Sequence, residues 1–131
     1  MILVAILLAT TLQAAAPAPN LATAGEVVVM GEKLKKWRAS VRERKGKMVC
    51  TTKSSTGDQE LDAIGCNAMA TCLTQFKPRL NATLDRTLAA AERKSLRDAA
   101  DRDLFTCVTT NRDTAAAALA ERRYQERQGN R

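Results

Sequence analysis

Four cysteines in a chain of 131 residues, Cys50, Cys66, Cys72 and Cys107, constrain the fold more than any other feature of this sequence. They are even in number and form neither a C-x-x-C motif nor a zinc-knuckle spacing. They therefore read as two disulfides, with no metal site. Helix geometry then prunes the pairing. Six residues apart on one helix, Cys66 and Cys72 would hold their Cα atoms about 10 Å apart, whereas a disulfide needs less than about 7 Å. Two pairings survive: Cys50–Cys66 with Cys72–Cys107, which is preferred, or Cys50–Cys72 with Cys66–Cys107. Either one ties the N-terminal part of the chain to the body and joins two remote helices. With about sixteen large apolar side chains beyond Lys47, each contributing about 1.5–3 kcal/mol when buried, the core is small enough for two such staples to decide whether the chain folds.

Disulfides belong to an oxidising compartment, and the N-terminus agrees. Ile2 to Ala9 is an unbroken apolar run followed by Ala14-Ala15-Ala16. Too short to cross a bilayer, it reads as a secretory signal over residues 1–16, although no Lys or Arg precedes Lys33. The expectation is an exported protein, periplasmic or secreted, with no transmembrane span once the signal is removed.

Periodicity sets the expected organisation. Residues 17–31 read as a mobile leader in which Glu26 to Met30, Glu-Val-Val-Val-Met, forms a short valine strand. The segment Glu26 to Val29 resembles the TonB box of TonB-dependent outer-membrane receptors, which would imply strand addition to a partner's sheet edge. A short strand or extended arm covering the helical body is the preferred reading. Leu34, Trp37 and Val41 then make a narrow helical stripe, so a basic helix is expected over 32–45, ended by Gly46. A loop over 46–57 follows, and then helices over 58–77, 78–94, 95–109 and 111–127. Thr56 with Gln59 is the expected capping box of the first of these, and Pro78 either kinks it or opens the next. The expected fold is mainly α: a small disulfide-stapled domain over 32–131, of about four helices, with a short N-terminal extended or β segment.

Composition excludes several functions. With no His, Ser-His-Asp and Cys-His hydrolases and His-ligated zinc fall away. Four scattered aromatics give no stacking platform for single-stranded nucleic acid. Asp58, Glu60 and Asp62, and again Asp98, Asp101 and Asp103, could form a carboxylate site, but acids near helix starts are better explained by the helix dipole. No enzyme activity, cofactor, metal or nucleic-acid partner is expected.

Charge placement is the strongest functional signal. Lys33, Lys35, Lys36, Arg38, Arg42, Arg44, Lys45 and Lys47 face only Glu32 and Glu43 over sixteen residues, so +6 of the net +7 lies there, beside Trp37. A basic amphipathic helix carrying a Trp is attracted to anionic surfaces. The leading expectation is an interaction protein docking on an anionic envelope surface or an acidic protein through these nine residues. The alternative is a binder, inhibitor or chaperone-like protein acting on another exported protein through its helical body.

Overall fold

The computed structural model describes residues 20–131; the expected signal sequence lies outside them. Within them the chain runs α1 (Ala24–Lys36), β1 (Arg38–Arg44), β2 (Lys47–Ser54), α2 (Gln59–Ala82) and α3 (Ala90–Gly129). The protein is mostly helical, with three helices in place of about four, one two-stranded antiparallel sheet and two disulfides, Cys50–Cys66 and Cys72–Cys107.

The N-terminal elements differ from the sequence expectations. The valine run is helical: Val27, Met30 and Leu34 fall at spacings of four or less on one face of α1 and pack on Leu61, Ala116, Leu119 and Ala120. Burial on a shared core outweighs the modest reluctance of β-branched residues to enter helices. Glu26, in the first turn of α1, is bonded to Arg127, so the TonB-box-like segment is no free extended arm. The helical stripe ends at Trp37, where the backbone turns extended (φ −64°, ψ 138°). The basic segment beyond it is not the rest of a helix over 32–45. It is β1, and the expected loop over 46–57 holds β2. Lys45 and Gly46 join the strands, both at positive φ (51° and 77°), the geometry of the primed two-residue turn that matches strand twist. Gly46 is a hairpin glycine, not a helix stop.

The helices expected over 95–109 and 111–127 are one continuous α3, since nothing in Thr110-Asn111-Arg112-Asp113 breaks a helix. Pro78 lies inside α2 without ending it, so there is no separate helix over 78–94: that stretch is the end of α2, a connection over 83–89 and the start of α3. The cap of α2 is Asp58, whose side chain accepts from the backbone N–H groups of Glu60 and Leu61, while Thr56 serves the preceding loop by donating to Asp62. α2 and α3 form an antiparallel pair. Cys72–Cys107 bridges them beside Ala68 and Val108, and α1 lies across the end where α3 finishes and α2 begins.

Candidate anion-binding face

The hairpin is laid along α2, and three features fix which side it turns inward. Cys50 is bonded to Cys66, the Thr52 hydroxyl lies 4.0 Å from Cys66 Sγ, and Glu43 pairs with Lys77 about three helical turns further on. Side chains alternate along a strand, and the register pairs Val41 with Cys50 and Glu43 with Met48. Ala39, Val41 and Glu43 therefore share the inward face with Met48, Cys50 and Thr52.

The opposite face belongs to Ser40, Arg42 and Arg44 on β1 and to Lys47, Val49, Thr51 and Lys53 on β2, with Ser40 opposite Thr51, Arg42 opposite Val49 and Arg44 opposite Lys47. Four cations stand on it and no carboxylate does. None of Arg42, Arg44, Lys47 and Lys53 enters an ion pair among the described residues, and residues 1–19 contain no Asp or Glu. Ser40, Arg42, Arg44, Val49, Thr51 and Lys53 border a cleft of about 240 Å³. Three of those six residues are cations, two carry hydroxyls and none is an acid.

The nine residues singled out in the sequence, eight cations and Trp37, divide between α1 and the hairpin, with Trp37 at their junction. Arg42, Arg44 and Lys47 stand on this face, and Lys45 stands at the turn. Lys33 and Lys36 are exposed on α1, where Lys35 is paired with Glu32 at 2.6 Å. Arg38 bends back to donate to the carbonyl oxygens of Lys35 and Trp37 at 2.7 and 2.8 Å, satisfying acceptors left open at the end of α1. Trp37 is not on any surface. It is 6% exposed, its indole N–H donates to Thr52 Oγ1 at 3.3 Å, and its ring covers the Gly65 backbone. It holds the hairpin to α2 and is unavailable to a partner. Lys53, Ser40 and Thr51 were missed. The signal that could have found them is the period of two in Ser40-Arg42-Arg44 and in Lys47-Val49-Thr51-Lys53.

The carboxylates are occupied elsewhere. Asp58 receives both arms of Arg123 at 2.8 and 3.0 Å, and those bonds hold its carboxyl below the usual range despite partial burial. Glu60 is lowered in the same way by Arg123 and Arg122. Burial is the largest single influence on Asp62 and pushes it up, but bonds from Ser55 and Thr56 together bring it below the ordinary value. Asp98, Asp101 and Asp103 are each bonded separately, to Lys94, Arg97 and Arg79. Among the described residues no group of three or more acids, cysteines or histidines is placed to hold a metal ion. No described helix is long and apolar enough to cross a membrane.

The chain matches no protein-family model, no curated protein and no solved structure.

Proposed function

We propose that this is a small exported, non-enzymatic interaction protein that docks on an anionic envelope surface through the outer face of its β-hairpin. The observation that carries the reading is the arrangement of Arg42, Arg44, Lys47 and Lys53 on one side of a stapled ribbon, without a carboxylate among them. In solution four exposed like charges repel one another, a cost that an anionic partner relieves. The apolar N-terminal run and the two disulfides support export. Membrane insertion by an amphipathic helix is set aside, because the residue that would anchor it, Trp37, is buried against α2.

The test is co-sedimentation of the oxidised protein with anionic and with neutral vesicles across a salt series. A first variant carries Arg42, Arg44, Lys47 and Lys53 all changed to Gln, and a second carries Lys33, Lys35 and Lys36 changed to Gln. The expected result is binding to anionic vesicles only, release at high salt, loss in the first variant and retention in the second. If the α1 variant loses binding and the hairpin variant keeps it, the assignment to the hairpin is wrong. If neither wild type nor variant binds at low salt, docking on anionic surfaces is wrong altogether.

A further inference from the structure

The cleft on the hairpin is more selective than a patch of positive charge requires. Arg42, Arg44 and Lys53 line it together with Ser40 and Thr51, two hydroxyl residues opposite each other in the register. Each guanidinium presents five N–H donors in a planar fork, the ammonium presents three, and each hydroxyl adds one. No acid lines the cleft. A carboxylate, with one charge and two oxygens, would leave most of these donors to water. A phosphodiester does little better, with one charge and two non-bridging oxygens. A phosphomonoester carries up to two charges on three strong acceptor oxygens, the shape and charge that Arg forks recognise in bidentate fashion.

We infer that the hairpin cleft is a phosphomonoester site, and that its ligand is a lipid phosphate displayed on a membrane surface. The inference rests on the docking reading above and gives that surface its chemistry. What favours a surface-borne phosphate over a free one is the surroundings of the cleft. Lys47 lies beside it on the same face, opposite Arg44, and Lys45 projects from the adjoining turn. Both lie outside its lining. A single small ion would leave these cations unused, whereas neighbouring headgroups in a membrane plane engage them together. The cleft is lined by hairpin residues alone, on the face opposite the one that Cys50 ties to α2.

The experiment compares vesicles of neutral phosphatidylcholine doped with phosphatidic acid, phosphatidylglycerol or oleate, each adjusted to the same surface potential, with a duplex oligonucleotide at the same ionic strength as a fourth arm. The oxidised full chain is expected to bind phosphatidic acid about tenfold more tightly than the other two vesicles, as one further charge-assisted contact would give. Ser40→Ala combined with Thr51→Val keeps every charge and is expected to bring that ratio towards one. Arg42→Lys with Arg44→Lys, which keeps charge and removes the forks, is expected to do the same while binding to phosphatidylglycerol persists. All these positions are exposed or half-exposed, and unchanged thermal unfolding of each variant confirms that it is folded. Equal binding to all three vesicles overturns the phosphomonoester site and leaves the docking reading intact. No binding to any vesicle overturns both. Tighter binding to the duplex than to phosphatidic acid overturns the lipid as ligand.

Discussion

Gly65 and Trp37 meet more closely than any side chain at position 65 would permit. A Cβ there would lie 2.8–2.9 Å from three atoms of the indole ring, a separation that real Cβ contacts do not reach. The ring has no room to retreat, being buried and hydrogen-bonded to Thr52. Two effects of Gly65→Ala oppose each other. Helix propensity favours Ala by about 1 kcal/mol, whereas overpacking a tight contact costs about 1–3 kcal/mol. Because the obstructing atoms lie within a rigid ring, the cost falls towards the upper end of its range, and urea unfolding should show a net loss of up to about 2 kcal/mol. The control is the same change in a Trp37→Leu background, where the obstruction is gone and Gly65→Ala should become neutral or stabilising. Loss of equal size in both backgrounds would place the cost somewhere other than the indole contact.

At the scale of elements, the hairpin is the piece with least support of its own. A two-stranded sheet is marginal in water, and this one relies on Trp37, on the Glu43–Lys77 pair and on the Cys50–Cys66 bridge. That bridge closes a loop of sixteen residues, for which chain entropy gives about 3 kcal/mol. Replacing Cys50 and Cys66 together by Ser should lower stability by about that amount. Hydrogen exchange should accelerate first in β1 and β2, while α2 and α3, still joined by Cys72–Cys107, stay protected. Uniform acceleration across all elements would show that the hairpin and the helices unfold as one unit. The same element shows how far the sequence could be read. The excess of charge between Lys33 and Lys47 was visible at once, as were the apolar faces of α2 and α3. Two accidents hid the strands. Leu34, Trp37 and Val41 keep helical spacing across the end of α1, so a stripe that belongs to a helix only as far as Trp37 extends falsely into β1. Lys45-Gly46, moreover, is not among the Asn-Gly or Asp-Gly pairs that announce a hairpin. Reading the segment as a helix scattered the cations around a cylinder. The strand period gathers them on one side and adds Lys53, which lies beyond the limit that net charge alone had drawn.

Over the whole molecule, ionic contacts concentrate where the C-terminal part of α3, a helix about 60 Å long, meets the starts of the other two helices. Arg123 holds Asp58 and Glu60, Arg122 holds Glu60 and Glu126, and Arg127 holds Glu26. Asp58 is the least exposed acid in this group, and pairing with Arg123 keeps its carboxyl below its ordinary 3.8. A carboxyl whose pKa falls on folding stabilises the fold at any pH above its unfolded value, and that contribution disappears as pH drops through the folded value. The thermal midpoint should therefore be level down to about pH 5 and decline below about pH 4. Arg123→Gln should lower the midpoint at neutral pH and make the acid decline shallower; a midpoint that rises on acidification would contradict the assignment. The order of the two bridges along the chain has a consequence of a different kind. Each joins a cysteine to the next one in sequence, 50 to 66 and 72 to 107. A chain delivered from its N-terminus presents the first pair before either member of the second, so a thiol oxidant acting on cysteines as they arrive closes the native bridges in turn. On such a route the native pairing needs no slow reshuffling of mispaired intermediates, a matter of seconds to hours.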